Sequence, residues 1–280
     1  MRSSCVASLF ALAAVGFPSA RPPVRQSAQI ILATTTSTRD AGLLDSLLPV
    51  FERGTGYRVK VIAVGSGQAL SMGRRGDADV VLSHAPAAER TLVDSGYFVR
   101  RRLVMHNDFL VVGPAGDPAG LRGLSDATAA FRRLGSRRGP FVSRGDQSGT
   151  HQREQFLWKR AGLPTPPRAS WYVESGQRMG ATLQLADEKR AYTLSDRATY
   201  LAWRDKLQLV PMVEGDSLLY NVYHVLELNP NNARRINVTG GKALADFFVA
   251  PETQRLIAAF GKATFGQSLF VPDAGKEDRW

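Results

Sequence analysis

The sequence contains a single cysteine, Cys5, which lies before a short apolar run at the N-terminus. A cysteine in that place is removed together with an export signal, so the mature chain is expected to have no thiol and no disulfide. Structural zinc sites built from cysteine clusters are excluded for the same reason. The four histidines show no paired zinc spacing, and neither a cofactor nor a metal cation is expected.

Long hydrophobic runs are also absent from the sequence. The N-terminal apolar run covers residues 6–17, which is too short to span a bilayer. It follows a charged start at Arg2 and leads into the small-residue segment 18–20, a pattern typical of a secretory signal peptide. We therefore predict a signal peptide over residues 1–28, with cleavage near Ala20 or Ala28. The mature protein is expected to be periplasmic, with no second membrane segment.

Acidic residues are the minority among the charged side chains. Asp and Glu number 25 against 36 Lys and Arg, which gives a formal net charge of +11 and favours anionic partners. The basic residues occur as scattered pairs such as Arg74-Arg75 and Arg137-Arg138, not as one stripe that could follow a phosphate backbone. Nucleic acid is therefore not an expected partner.

From Gln29 onward, short apolar strands alternate with longer helical segments, which predicts an α/β fold with largely parallel sheets. A β-α-β-α-β unit covers residues 30–82, and a second α/β series follows the glycine- and proline-rich break at residues 113–118. Strands over residues 207–213 and 219–228 then return to the first series. We predict lobe I from residues 29–108 and 214–273, lobe II from residues 109–213, and a C-terminal tail over residues 274–280. Such an arrangement suits hinge closure over a ligand cleft.

Three segments between a predicted strand and a predicted helix are rich in hydrogen-bond donors. The first contains five consecutive hydroxyl residues, 34–38, although a helix cap needs only one. The second is Gly65-Ser66-Gly67, which taken alone is also typical of a plain turn. The third, residues 143–151, combines Arg144 with small and hydroxyl residues at a helix start. Because a helix N-terminus presents unpaired N–H groups and partial positive charge, such junctions bind anions. On a solvated loop, Arg144 would instead pair with Asp146.

Together these segments resemble the TupA family, the tungstate-binding proteins of ABC importers, within the type II periplasmic binding-protein fold. The resemblance covers residues 30–272 and is carried by residues 34–37, 42–45, 64–67, 143–146, 148–151 and 192–200. It implies an α/β chain of two lobes with the ligand in a cleft between them. The residues that it implies as ligand contacts are Thr35, Thr36, Ser37, Ser66, Arg144, Ser148, Gly149, Thr150 and Thr193.

Asp146 is interpreted differently, because a carboxylate beside a fully ionised oxyanion is repulsive. Tungstate carries no proton at neutral pH, so we expect Asp146 to turn toward Arg144 or the backbone and to orient the guanidinium.

The expected partners are tungstate or a related tetrahedral oxyanion and the membrane permease of an importer, with the chain itself a monomer. Binding of molybdate, phosphate or sulfate stays open, because the same donors serve all of these anions. An oxyanion-processing enzyme or a sensor domain is the alternative from another class. An enzyme would need a base, nucleophile or metal near the anion site, and none is visible in the sequence.

Overall fold

The structure is a computed structural model that describes residues 29–165, 167–231 and 235–279. The predicted signal peptide therefore lies outside the described residues. The predicted α/β class is confirmed. The strands are β1 (Gln29–Thr35), β2 (Arg58–Val64), β3 (Val80–Ser83), β4 (Phe98–Pro114), β5 (Phe141–Ser143), β6 (Tyr172–Glu174), β7 (Thr193–Asp196), β8 (Leu209–Val213), β9 (Tyr220–Leu228) and β10 (Val271–Pro272).

Helices connect most of these strands. They are α1 (Thr36–Asp40), α2 (Leu43–Thr55), α3 (Ser66–Arg75), α4 (Pro86–Asp94), α5 (Ala127–Arg137), α6 (Gly149–Arg160), α7 (Met179–Glu188), α8 (Arg197–Trp203), α9 (Val238–Val249), α10 (Pro251–Ala259) and α11 (Lys262–Phe265). The apolar spacing predicts one helix over residues 40–53, ended by Gly54. In the structure Gly42 separates α1 from α2, and α2 continues through Gly54 to Thr55, with Gly56 as its C-cap in left-handed backbone at a φ of 77°.

The main sheet is mixed, so the prediction of largely parallel sheets is wrong in this respect. Its strand order is β10-β4-β9-β3-β1-β2, with β7 and β8 paired to β4 beyond this path. Among the described residues, β1 pairs in parallel with β2 and with β3, whereas the pairs of this sheet that involve β4 or β9 are antiparallel. The reason is that β4 and β9 are long strands that run in opposite directions, which sequence periodicity does not reveal.

The strand β4 changes partner along its length. It pairs with β9 as far as Asp108, opposite Tyr220, and with β7 from Phe109 onward, opposite Asp196. The two-stranded sheet of β5 and β6 lies beside β7, to which it is linked by a bridge between Phe141 and Tyr192. Strand β4 thus belongs to both halves of the main sheet.

Three buried apolar clusters stabilise this arrangement. The largest combines side chains of β1, β3, β4 and α2 with those of α7 and α9. A second cluster packs α5 and α6 around Phe131, Phe141 and Trp158, whose rings make tilted and edge-on contacts. The third packs α3 against β1, β3 and β9. None of the helices in the described part of the chain is long and apolar enough to cross a membrane.

Candidate functional site

The threonine-rich segment lies at the junction of β1 and α1. Thr35 is the N-cap of α1, where its Oγ1 accepts a hydrogen bond of 3.2 Å from the Thr38 amide. Thr34 is fully buried and donates through its hydroxyl to the Leu82 carbonyl at 2.9 Å. Thr38 is also buried, with its Oγ1 2.6 Å from Thr35 Oγ1. Three of the five hydroxyls therefore stabilise the junction itself.

The remaining two hydroxyl residues of this segment, Thr36 and Ser37, are exposed on the wall of a cavity. Ser37 Oγ lies 3.1 Å from Thr35 Oγ1, and the Thr36 hydroxyl bonds to no atom in the described part of the chain. Both side chains are neutral donors at the start of a helix, where backbone N–H groups also lack intrahelical partners. An anion in the cavity can accept from both.

A second strand-to-helix junction lies next to the first. Strands β1 and β2 are parallel and in register, with Thr35 opposite Val64, so their carboxyl ends meet at the same edge of the sheet. Gly65 caps α3 in extended backbone, with no side-chain hydrogen bond to the first turn, and Ser66 is the first helical residue. Ser66 lines the same cavity as Thr36 and Ser37. Parallel pairing thus brings two donor segments together that are about thirty residues apart in the chain.

The arginine loop, residues 143–148, connects β5 to α6. Ser148 is the N-cap of α6, and its Oγ accepts from the His151 amide at 3.3 Å. Gly145 has a φ of 63°, and a Cβ at this position would lie 2.8 Å from the Glu174 side chain, so only glycine fits. Gln147 also has a positive φ, 60°, a conformation that glycine or asparagine adopts at lower cost. The loop is therefore tightly folded and partly strained.

Arg144 supplies the charge of this loop. Its side chain is 14% exposed and pairs through Nη2 with Asp146 Oδ2, while Asp146 Oδ1 accepts from the Ser148 amide at 3.1 Å. Burial opposes ionisation of Asp146, but the contacts with Ser148 and Arg144 outweigh it and hold the pKa of Asp146 below its usual range. Arg144 Nε is buried and donates to no atom in the described ranges. Asp146 thus orients the guanidinium, and the Nε–H donor makes no hydrogen bond within the described residues.

His84 follows β3 and lies between the two groups of donors. Its Nε2 is 3.0 Å from Thr35 Oγ1, and a Cβ at Gly149 would lie 3.0 Å from its Cε1. The ring also packs against Tyr223, with 5.0 Å between the centroids. Burial lowers the pKa of His84 to about 4, so the imidazole is neutral at pH 7. His84 therefore contacts the threonine segment without adding charge.

The two long strands supply further polar groups to the same cavity wall. Asn107 on β4 lies opposite Asn221 on β9, and Asn221 Nδ2 donates to Asn107 Oδ1 at 2.9 Å. Asn221 also donates to the Tyr223 hydroxyl at 2.9 Å. These side chains are buried where β4 changes partner. They join the two long strands by hydrogen bonds next to the donor segments.

These groups line one cavity of about 560 Å³. The predicted site residues that line it are Thr35, Thr36, Ser37, Ser66, Arg144, Ser148, Gly149 and Thr150. Asp146 lies behind Arg144, outside the lining. Thr193 is buried on β7 opposite Val112, also outside the lining, and its Oγ1 has no hydrogen-bond partner among the described residues. The structure thus brings together eight of the nine predicted ligand residues and does not bring Thr193 to the cavity.

Several residues that line the cavity were not predicted from the sequence as ligand contacts. They are His84, Asn107, Arg178, Asp196, Thr199, Trp203, Asn221 and Tyr223. Two of them could have been found from their place beside a strand or a helix, because His84 follows a strand and Arg178 is the residue before α7. The asparagines carry none, since their positions depend on the pairing of β4 with β9. The described residues contain no cluster of three or more His, Cys, Asp or Glu that could hold a metal ion.

Comparison with known proteins identifies the class and the family of this chain. The model of the PBP superfamily domain matches residues 20–252, which defines the chain as a protein of the periplasmic binding-protein class. The tungstate-binding protein TupA of Peptoclostridium acidaminophilum is 44% identical over 276 residues, which cover 96% of each chain. This chain belongs to the TupA family.

Solved structures lead to the same family. The tungstate-binding protein TupA from Desulfovibrio alaskensis G20 is 41% identical, with a TM-score of 0.82 over 88% of this chain and 99% of that one. The structure described as the tungstate ABC transporter from Geobacter sulfurreducens is 44% identical, with a TM-score of 0.71 over 83% of this chain and 98% of that one. The fold and the family that the sequence motifs predict are therefore confirmed.

Proposed function

We propose that this chain is the extracytoplasmic substrate-binding protein of an ABC importer and that it binds tungstate in the described cavity. The observation that carries the proposal is the convergence of two hydroxyl-bearing strand-to-helix junctions and the Arg144 loop on one cavity. Relatives named for tungstate binding cover nearly the whole chain, which supports the choice of ligand. The role is binding and delivery to a membrane permease rather than catalysis.

The chemistry of the donors favours a fully ionised anion. Thr36, Ser37 and Ser66 offer neutral hydroxyls, and Arg144 offers a charged planar fork. Both oxygens of Asp146 already accept hydrogen bonds, from Arg144 and from the Ser148 amide. The carboxylate of Asp146 is therefore engaged within the loop and lies outside the cavity lining, where it does not face a proton on the ligand. Tungstate accepts hydrogen bonds and carries no proton at neutral pH.

The lobes are part of the same proposal. We assign residues 29–108 and 214–273 to lobe I and residues 109–213 to lobe II. The change of partner in β4 between Asp108 and Phe109 supports this boundary, as does the start of β9 at Tyr220. The cavity of about 560 Å³ is much larger than an anion of five atoms. Closure of the lobes on tungstate would bring the two donor groups to hydrogen-bonding distance of one ligand.

Small-angle scattering of the purified mature chain tests closure. We expect the radius of gyration to fall when tungstate is added, because each donor segment binds better when the other is near. Arg144→Ala at the same tungstate concentration is the control and should scatter like the free protein. Superimposable profiles of free and saturated wild-type protein would contradict closure without contradicting binding.

Calorimetric titration with tungstate, molybdate, sulfate and phosphate tests the ligand. We expect saturable one-to-one binding of tungstate, with weaker binding of sulfate and phosphate. Tighter binding of molybdate would retain the transport role and change its cargo. Tighter binding of phosphate or sulfate, or the absence of any binding, would overturn the proposal.

A further inference from the structure

A buried carboxylate lies behind the arginine loop, outside the cavity lining. Glu154 is on α6, its residue is 2% exposed, and its two oxygens accept three hydrogen bonds. Ser143 Oγ donates to Oε2 at 2.6 Å, and Trp158 Nε1 and the Tyr172 hydroxyl donate to Oε1 at 3.0 and 2.8 Å. No cation pairs with Glu154 in the described ranges. The group is thus held only by neutral donors.

Burying a carboxylate without a cation is costly. Burial raises the pKa of Glu154 to about 7, although the three hydrogen bonds favour the ionised form. An apolar residue would fill the same space among Phe141, Trp158 and Tyr172 at lower cost. This cost indicates that the fold needs the hydrogen-bond acceptors of Glu154 at this place.

The contact with Ser143 leads directly to the arginine loop. Ser143 is fully buried at the end of β5, next to Arg144. Its Oγ donates to Glu154 and accepts from the Gly145 amide at 3.2 Å. When Glu154 is ionised, the Ser143 hydroxyl donates its proton to the carboxylate, and a lone pair of the same oxygen faces the Gly145 amide. That bond helps to hold Gly145 at its positive φ between Arg144 and Asp146.

We propose that Glu154 is a positioning residue for oxyanion binding, acting through Ser143 and Gly145 to hold the Arg144 guanidinium in its binding orientation. The inference rests on the proposed function, because it concerns the same site. Glu154 and Ser143 are both outside the cavity lining, so neither touches the ligand. Their effect on affinity must pass through the loop.

The neutral isostere Glu154→Gln separates this role from simple packing. The glutamine oxygen can still accept from Trp158 and Tyr172, but its amide group presents donors to Ser143. The Ser143 hydroxyl then has no acceptor for its own proton and loses its fixed direction. We expect the affinity for tungstate to fall about tenfold, the effect of losing one hydrogen bond to a charged group.

Tyr172→Phe is the matched control, because it removes another donor to the same carboxylate and leaves Ser143 in place. We expect it to lower the melting temperature and to keep the tungstate affinity within about twofold of wild type. Ser143→Ala removes the connection from the loop side and should weaken binding to a similar degree as Glu154→Gln. It also keeps the test open if Glu154→Gln does not fold.

A double-mutant cycle with Arg144→Ala shows whether the effect passes through the guanidinium. We expect Glu154→Gln to cost about tenfold in the wild-type background and almost nothing in the Arg144→Ala background. Failure of the wild type to bind tungstate contradicts the proposed function itself. The inference is overturned when wild type binds and a folded Glu154→Gln or Ser143→Ala variant matches it, or when the loss is equal in both backgrounds.

Discussion

The threonine segment and the arginine loop are built on the same plan, yet they hold their donors in different ways. Each is a strand-to-helix junction with a hydroxyl N-cap, Thr35 in one and Ser148 in the other. The threonine segment is neutral, and its hydroxyls bond to one another and to the uncharged ring of His84. The arginine loop contains a cation with two carboxylates behind it, Asp146 and Glu154.

The difference indicates a division of labour between the two sides of the cavity. Helix α1 has only five residues, so its contribution to the local field is small, and its hydroxyls act mainly through the direction of their hydrogen bonds. Arg144 contributes a full charge where water is partly excluded, and there a charge-assisted hydrogen bond is stronger than a neutral one. We therefore expect the arginine loop to dominate affinity and the threonine segment to adjust it.

Arg144→Ala should cause the largest loss. Deleting one member of a partly buried charged contact costs about 2 to 5 kcal/mol, which corresponds to an affinity loss of about thirty-fold or more. Arg144→Lys should recover only part of the loss, because a point charge does not reproduce the planar fork. Calorimetry measures both variants, with circular dichroism to check the fold. Wild-type affinity in folded Arg144→Ala would mean that the site is misplaced.

The two acidic residues behind Arg144, Asp146 and Glu154, should differ in how their effect on stability depends on pH. Burial raises the pKa of Glu154 from its ordinary value of 4.5 to about 7, so the folded chain holds this proton more tightly than the unfolded chain. The stabilisation is full below about pH 4.5 and is lost as the pH rises through about 7. Over that window the free energy of unfolding of wild type should fall relative to Glu154→Gln by roughly 3 kcal/mol, since each pH unit between two pKa values contributes about 1.4 kcal/mol.

Asp146→Asn is the control for this pH dependence. The pKa of Asp146 is lowered, so its carboxylate is ionised in both the folded and the unfolded chain above about pH 5. The difference in unfolding free energy between wild type and Asp146→Asn should therefore stay constant between pH 5 and 7. Urea unfolding at several pH values measures both differences. A constant difference for Glu154→Gln would show that this carboxyl does not titrate in the window.

Thr36→Ala should cause a smaller loss of tungstate affinity than Arg144→Ala. Comparison with Thr35→Ala separates the hydroxyl that faces the ligand from the hydroxyl that caps α1. The Thr36 hydroxyl faces the cavity, so its removal should cost about 0.5 to 2 kcal/mol of binding and little stability. The Thr35 hydroxyl caps α1, so its removal should lower the free energy of unfolding by about 1 kcal/mol. Equal losses of affinity in Thr36→Ala and Arg144→Ala would contradict the division of labour.

Local sequence patterns were sufficient to predict the donor segments. Hydroxyls and glycines between an apolar strand and a helix mark a helix N-terminus, and this signal depends only on neighbouring residues. Residues 34–37 and the Arg144 loop were found in this way, whereas Ser66 lies in a segment that is also typical of a plain turn, and the family resemblance placed all three on one cleft. The α/β class followed from the alternation of strands and helices.

The remaining features depend on long-range contacts that no local pattern contains. The antiparallel pairing of β4 with β9 made the sheet mixed and brought Asn107 opposite Asn221. His84 reached Thr35 through the pairing of β1 with β3. Glu154 reads in the sequence as an ordinary polar residue on a helix, and only packing shows that it accepts from Ser143. Thr193, which the family resemblance alone suggested, stays a prediction.

A crystal structure of the mature chain grown with tungstate tests the central claim most directly, because the anomalous signal of tungsten locates the metal without prior assumptions. The two-sided site predicts one tungsten atom in the cavity, with oxyanion oxygens that accept hydrogen bonds from Arg144 and from Thr36 or Ser37. Tungsten bound to one side only, with Arg144 still paired solely to Asp146, would contradict it.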